Sequence, residues 1–473
     1  MVFNSLTFVV FFAVVLLLHN LPLGWGVKKF NLLIASYIFY AAWNPPFILL
    51  LWGSTLVDWL VARQMSRQPT QALKRRWLVI SLVVNLGFLG FFKYGNFALT
   101  NWQALMAAIG VHYTPPAWNI LLPVGISFYT FHSMSYTLDI YFGRVKPIPK
   151  LFDFALFVAF FTQLVAGPIL RTSQLVPQFE TPRRAGSDQL LWGLALMCLG
   201  LFEKVVLADG ALAPTADAVF GATDPLGFVD AWVGTLAFAG QIFCDFAGYS
   251  TIAIGAALCL GFSIPSNFNY PYAAIGFQDF WRRWHISLST WLRDYLYIPL
   301  GGNRRGTGRT YLNILITMLL GGLWHGANWT FVAWGGLHAI YLCVERWLRE
   351  HSVGRRFAGL PAVRFVLGLL TFLAICVTWV FFRAHTFAAA GQLLAAMIGL
   401  HPKTPALLST VFLIQVPVVV LGILATHWLM RDRKLEDVVA RAPWPLVAGA
   451  WAALLALVIF TQGNGDAFIY FQF

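Results

Sequence analysis

The chain has 473 residues, of which 59% are hydrophobic and only 11% are charged. Soluble domains hold about 45–50% apolar and about 25% charged residues, so this composition excludes an ordinary soluble protein and indicates a polytopic membrane protein. The formal net charge is +13, but Lys and Arg fall between apolar runs, as the positive-inside rule expects. We therefore expect contact with membrane lipid and no nucleic acid binding.

Apolar segments recur along the whole chain and predict an all-α protein with about 11–13 transmembrane or re-entrant helices. We interpret the first segment as a retained span, because it is long for a signal-peptide core and has no basic leader. The segment at 228–262 is long enough for two helices. The candidate segments are 5–23, 30–43, 47–62, 77–92, 118–138, 151–170, 189–207, 228–262, 311–323, 329–344, 363–382, 407–429 and 445–460.

No stretch resembles a linker to a soluble domain, so we predict one membrane domain over residues 1–473. It would comprise N-terminal helices at 1–110, a core at 111–345 and C-terminal helices at 346–473. Basic residues after the first and third segments place the N-terminus outside and the basic loops in the cytoplasm.

The stretch at 265–309 interrupts the apolar pattern. Residues 267–272 read as a turn or an extended segment, because Asn and Pro alternate with aromatic residues. Residues 277–300 carry tryptophans at helical spacing and predict one helix at the interface or dipping into the membrane. Residues 301–306 follow as a flexible basic loop.

Two histidines lie in stretches of sequence that are apolar enough to enter a membrane. His325 follows an apolar run within Gly-Gly-Leu-Trp-His-Gly at 321–326, and His285 lies in Trp-Arg-Arg-Trp-His at 281–285. A titratable group at membrane depth is costly, and imidazole is suited to moving protons near neutral pH. The pair predicts proton-transfer catalysis within a bilayer. The alternatives are a buried histidine bonded to a backbone carbonyl at 325 and an interfacial one within a Trp belt at 285.

Polar residues near these histidines are candidates for supporting roles. Asn328 is placed to orient the His325 ring or to donate to a developing oxyanion. Basic and acidic residues near His285 are candidates for meeting phosphate or carboxylate groups; these are Arg282, Arg283, Asp294 and Arg304. The five cysteines lack metal-ligand spacing and we predict no metal site.

Further carboxylates lie inside apolar segments. Gln241 and Asp245 share one helical face by their spacing. We expect Asp245 to form a structural ion pair with an arginine, or alternatively to polarise a histidine. Glu203 and Lys204 form a short opposite-charge pair that we expect to hold helices together.

The residue blocks at 278–303 and 321–329 resemble those of the membrane-bound O-acyltransferase family, in particular its bacterial alginate O-acetyltransferase branch. The C-terminal hexapeptide at 468–473 agrees with that branch. Weaker support comes from residues 122–131, 166–169 and 241–250.

The resemblance implies a ring of tilted helices around a thin centre, where funnels from both faces meet at a catalytic histidine. His325 matches the family's near-invariant histidine, and His285 matches its second polar position. The implied reaction takes acetyl from cytoplasmic acetyl-CoA and passes it across a bacterial inner membrane to O-acetylate an exopolysaccharide, expected to be alginate. The implied partners are a periplasmic acetyltransferase and the polysaccharide export machinery, and no tightly bound cofactor is expected.

In this mechanism, His325 acts as the base and His285 or a backbone N–H contacts the oxyanion. Arg282, Arg283 and the 304–305 arginines suit the phosphates of coenzyme A. Two kinds of alternative remain. The acceptor can be another envelope polymer, as in teichoic acid D-alanylation or the acetylation of peptidoglycan or cellulose. The chain can instead be a proton-coupled transporter, although the inverted repeats often found in transporters are not evident.

Overall fold

A computed structural model describes residues 1–114, 120–165, 167–351, 360–401 and 405–461. Every regular element in these residues is helical, which confirms the all-α prediction. The α-helices are α1 (Leu6–Asn20), α2 (Trp25–Ala41), α3 (Ile48–Ser66), α4 (Gln71–Ala108), α5 (Ile126–Tyr141), α6 (Leu151–Ala159), α7 (Phe161–Leu164), α8 (Thr172–Leu175), α9 (Ser187–Leu201), α10 (Ala213–Phe220), α11 (Phe228–Cys259), α12 (Phe277–Arg283), α13 (Ile286–Leu292), α14 (Thr307–His325), α15 (Trp329–Glu350), α16 (Pro361–Arg383), α17 (Phe387–Met397), α18 (Thr410–Met430), α19 (Leu435–Arg441) and α20 (Trp444–Phe460).

Six helical stretches in the described part of the chain are long and apolar enough to cross a membrane. The protein is therefore a multi-pass membrane protein. Other predicted segments form helices that are shorter or more polar; α15, for example, carries charged residues in its second half. The six stretches are Pro45–Ser66, Gln71–Ala108, Ser187–Phe220, Phe228–Cys259, Pro361–Arg383 and Thr410–Met430.

Several predicted segments differ from the observed helices. The segment at 228–262 forms one helix, α11, instead of two. The segment at 151–170 is broken at Phe160, where the backbone N–H of Phe161 donates to Ser36 Oγ at 3.1 Å. The segment at 189–207 continues from α9 into a π-helix at Phe202–Leu212.

Backbone contacts divide the chain into two compact units. The first comprises residues 1–194 and 253–265, and the second comprises 195–252 and 266–473. In the first unit, the buried Asp58 of α3 accepts hydrogen bonds from Ser81 Oγ at 2.6 Å and Asn85 Nδ2 at 2.9 Å, both on α4. These bonds offset the cost of burying polar groups and fix the two helices together. The predicted division at 110 and 345 stays a prediction.

In the second unit, α14 and α15 pack at backbone contact distance. A Cβ built on Gly322 would lie 2.2 Å from Phe331 O, and one built on Gly335 would lie 2.2 Å from Met318 O. Only glycine permits this approach. The close crossing fixes the end of α14, where His325 lies, against the aromatic core of the unit, which includes Trp334.

Candidate active site

His285 lies at a break in the helix that the sequence predicts over 277–300. Its backbone adopts the left-handed conformation, with φ 42° and ψ 57°, which is uncommon for a residue other than glycine. The neighbouring segment holds this kink, because Ile286 N donates to Asn267 O and Asn269 N donates to Arg283 O, both at 2.9 Å. The prediction of one continuous helix over 277–300 is therefore wrong, because the helix is broken at His285.

The kink turns the His285 ring into the protein, where it is 0% exposed. Its Nδ1 lies 3.2 Å from Asn267 Oδ1, and its ring packs edge-on against Phe246, with centroids 4.7 Å apart. Burial lowers the pKa of His285 to about 3, because the protonated ring would lose its hydration. The ring is therefore neutral at physiological pH.

His325 is the last residue of α14 and is 3% exposed. Its ring lies in an aromatic cage, with centroid distances of 5.0 Å to Trp324, 5.0 Å to Trp334 and 5.3 Å to Phe382. Gly326 continues in an extended conformation, and a Cβ there would lie 2.1 Å from the Phe331 ring. Glycine is thus required where the chain leaves the histidine.

The structure brings the two predicted histidines together. Their ring centroids are 6.5 Å apart, and the planes are inclined by 60°. The Trp324 ring contacts both, at 6.0 Å from His285 and 5.0 Å from His325. Both imidazoles are buried, with 0% of His285 and 3% of His325 exposed. The funnels that the resemblance implies stay a prediction.

The four arginines predicted near the site occupy two different environments. Arg283 is 8% exposed and donates to Asp279 Oδ1 at 2.9 Å and to Arg431 O at 3.0 Å. Its contacts are internal and hold the segment around the kink. Arg282, Arg304 and Arg305 are exposed, so their guanidinium groups are accessible to anions.

Asp279 organises the internal arginine cluster. It accepts from Arg283 and from Arg431 Nη2, the latter at 2.7 Å. Burial raises the pKa of Asp279, but the hydrogen bond from Ile275 N–H and the contacts with Arg283 and Arg431 outweigh this effect and leave the pKa below its usual value. The carboxylate therefore stays ionised at neutral pH.

Asn328 and Asp294 have local partners. Asn328 caps α15, since its Oδ1 accepts from Thr330 N at 3.1 Å and its Nδ2 donates to His385 O at 2.9 Å. Asp294 accepts a bidentate pair from Arg293 at 2.7 and 3.2 Å. Both side chains stabilise local structure through these contacts.

Asp245 forms an ion pair on α11. Its Oδ1 lies 2.6 Å from Lys204 Nζ in the π-helix, and Lys204 also contacts Asp209 at 2.8 Å. Gln241 lies one turn earlier on the same helix and is 8% exposed. The helix that carries this pair also supplies Phe246 to the His285 ring.

Two residues at the site were not singled out from the sequence. Asn267 contacts His285, and Trp334 contacts His325. The sequence indicated only a turn at 267–272, and nothing in that pattern connects Asn267 with a histidine in a later block. Trp334 lies on the helix that follows the His325 block. In the sequence it is one of many apolar residues, and nothing distinguishes it from an ordinary core residue.

Comparison with known proteins bears on the identity of this site. The sequence model of MBOAT, the membrane-bound O-acyltransferase family, matches residues 144–383, which include both histidine blocks. The chain belongs to the membrane-bound O-acyltransferase family. It is therefore an acyltransferase.

Individual relatives agree with the assignment to this acyltransferase family. A protein of Azotobacter vinelandii named "Probable alginate O-acetylase AlgI" is 43% identical over 84% of this chain and 78% of its own length. The "Peptidoglycan O-acetyltransferase" of Helicobacter pylori is 39% identical over 79% of this chain and 74% of its own. The "Teichoic acid D-alanyltransferase" of Bacillus subtilis is 27% identical over 56% of this chain and 68% of its own. The hexapeptide at 468–473 and Ala166, which also supported the resemblance, lie outside the described residues.

Proposed function

We propose that this acyltransferase takes acetyl from acetyl-CoA and passes it across the bacterial inner membrane for O-acetylation of an exopolysaccharide, most specifically alginate. The observation that carries the proposal is the placement of His285 and His325, from separate sequence blocks, with their rings 6.5 Å apart inside a membrane protein. The alginate acceptor is supported by relatives that are named alginate O-acetylases and are 43–44% identical to this chain.

The chemistry assigned to His325 is general base catalysis. Its neutral imidazole takes the proton from the acceptor hydroxyl as the oxygen attacks the thioester carbonyl. The tetrahedral intermediate then collapses, the carbon–sulfur bond breaks, and the imidazolium returns the proton to the departing thiolate. Positioned proton transfer of this kind contributes roughly 10²–10⁴ in rate. The aromatic cage around His325 strengthens electrostatic interactions by excluding water.

Donor binding is assigned to the exposed arginines. Arg282, Arg304 and Arg305 can meet the phosphates of coenzyme A through guanidinium hydrogen bonds. Arg283 is not included among the residues proposed to bind coenzyme A, because its guanidinium already donates to Asp279 and to two backbone carbonyls. We assign the onward step to a periplasmic acetyltransferase partner that works with the polysaccharide export machinery.

A second acceptor is supported by one observation. The Helicobacter pylori relative named "Peptidoglycan O-acetyltransferase" is 39% identical, close to the identity of the alginate relatives. Peptidoglycan is therefore the competing acceptor. Family membership removes the support for a proton-coupled transporter.

The experiment compares His325→Ala with the wild-type protein in membrane vesicles supplied with radiolabelled acetyl-CoA. Alginate oligomers, peptidoglycan fragments and teichoic acid are offered in separate arms with the cognate periplasmic extract. We expect acetylation of alginate, and a loss of about 10²-fold or more in the variant. The matched control is His112→Ala, since His112 is exposed. Unchanged acetylation by His325→Ala at normal protein levels would refute the catalytic role of His325. Labelling of peptidoglycan alone would show that peptidoglycan, and not alginate, is the acceptor.

A further inference from the structure

Three hydrogen bonds converge on one atom beside His285. Asn267 Oδ1 lies 3.1 Å from Ser287 N, 2.9 Å from Ser287 Oγ and 3.2 Å from His285 Nδ1. A backbone N–H can only donate, so the Asn267 atom that it meets is the amide oxygen. The orientation of this side-chain amide is therefore fixed by its neighbours.

This contact determines where the neutral His285 ring carries its hydrogen. An oxygen that already accepts from Ser287 can be approached by Nδ1 only if Nδ1 donates. A neutral imidazole has one N–H, so Nε2 then carries the lone pair. His285 in this form accepts a hydrogen bond at Nε2 and cannot donate one there to an oxyanion.

The surroundings of the Asn267 amide nitrogen indicate that this side chain acts through its oxygen, Oδ1. Asn267 is 1% exposed, yet Nδ2 has no hydrogen-bond partner among the residues that the structure describes. The amide is thus held through its acceptor contacts. Phe246, Trp324 and His325 contact the His285 ring, and His325 is titratable.

We propose that Asn267 is a positioning residue that holds His285 as the Nδ1–H tautomer, so that His285 Nε2 accepts a hydrogen bond from a hydroxyl of the acceptor other than the attacking one. This inference rests on the proposed acetyl transfer and refines the role of His285 within it. The proton of the attacking hydroxyl passes to His325, as in the proposed function. The oxyanion contact then belongs to a different donor than neutral His285.

The decisive variants are Asn267→Asp and Asn267→Ala. Aspartate keeps an acceptor oxygen for Nδ1–H and Ser287, whereas alanine removes it. We expect acetylation to fall about 10–100-fold in Asn267→Ala and to stay within about tenfold of wild type in Asn267→Asp. A carboxylate beside the ring raises the pKa of His285, so the acid limb of the pH–rate profile moves to higher pH in Asn267→Asp.

A double-variant cycle separates positioning from general damage to the fold. In a His285→Gln background, Asn267→Ala should cause little further loss, because Asn267 acts through the imidazole. Ser266→Ala is the matched control, since it removes a hydrogen bond to Phe268 O in the same segment. Equal losses in Asn267→Asp and Asn267→Ala, or losses that multiply in the double variant, would overturn the inference. If His325→Ala abolishes acetylation while Asn267→Ala leaves it intact, this inference fails and the proposed function stands.

Discussion

Lys204 Nζ lies 2.6 Å from Asp245 Oδ1, and the two side chains are 2% and 1% exposed. They meet where the π-helix at Phe202–Leu212 adjoins α11. Gly200 and Gly248 allow this approach, because a Cβ on Gly200 would lie 2.4 Å from Gly248 O. A charge pair is thus enclosed at a helix crossing of a membrane protein, where either charge alone would be costly.

Removing one member of this pair should destabilise the protein strongly. We expect Lys204→Met or Asp245→Asn to cost about 3–5 kcal/mol, because each leaves a buried charge with reduced compensation. The double variant should recover part of the loss, because neither of these two positions then carries a charge, although Asp209 still loses its contact with Lys204. The measurement is the thermal unfolding midpoint in detergent, together with the amount of protein in membranes.

Arg346→Met is the control for the charge pair, since the Arg346–Glu350 pair is far more exposed. A surface pair of this kind contributes about 0–1 kcal/mol. A single variant of Lys204 or Asp245 with a wild-type unfolding midpoint would contradict the prediction.

The sequence allowed us to predict that Asp245 forms an ion pair, but not which residue is its partner. Asp245 in an apolar run indicated a buried ion pair, and the structure contains one, but the partner is Lys204 and not the expected arginine. Adjacent residues on a helix do not face one another, so Lys204 could not be matched with Glu203 from their proximity in the chain. The π-helix changes which side chains face the neighbouring helix, and the pattern of apolar residues in the sequence does not predict such a change.

The α14–α15 crossing should discriminate between neighbouring glycines. Gly322→Ala places a methyl group 2.2 Å from the Phe331 carbonyl oxygen, so backbone must move, and we expect a loss of about 1–3 kcal/mol or more. Gly336→Ala meets only Leu319 Cδ2, at 3.6 Å, and should be tolerated. Thermal midpoints and acetylation rates measured on both variants test this. Equal effects would show that the crossing is looser than the structure indicates.

The kink at His285 shows where sequence periodicity stops being informative. Tryptophans at helical spacing predicted a continuous helix at 277–300, and helices do form on both sides of the break. The break itself depends on backbone bonds to Asn267 and Asn269, which come from another segment. Tertiary pairing therefore overrides local preference at this residue, while the family motif still identified it.

His285 should make stability depend on pH. The unfolded ring has a pKa near 6.5, whereas burial lowers the pKa of the folded ring to about 3. The unfolded state therefore binds the additional proton below pH 6.5, and stability falls as the pH drops from there towards 3. Between pH 6.5 and 5 this group should contribute a loss of roughly 2 kcal/mol. His285→Asn should remove that part of the dependence in detergent unfolding measurements, and identical pH profiles would contradict it.

The exposed arginines give a prediction about the donor. Arg304→Gln combined with Arg305→Gln should raise the KM for acetyl-CoA about three- to tenfold, because each exposed contact with phosphate is worth about 1 kcal/mol or less. The same variant should use S-acetylpantetheine as well as the wild-type protein does, since that donor lacks the phosphates. Raising the salt concentration should increase the wild-type KM for acetyl-CoA more than that of the variant, because screening removes the same attraction. Arg76→Gln, another exposed arginine, is the control. A similar rise in KM for both donors would mean that these side chains act on the acyl end or on the fold, and the phosphate contact would then have to be assigned elsewhere.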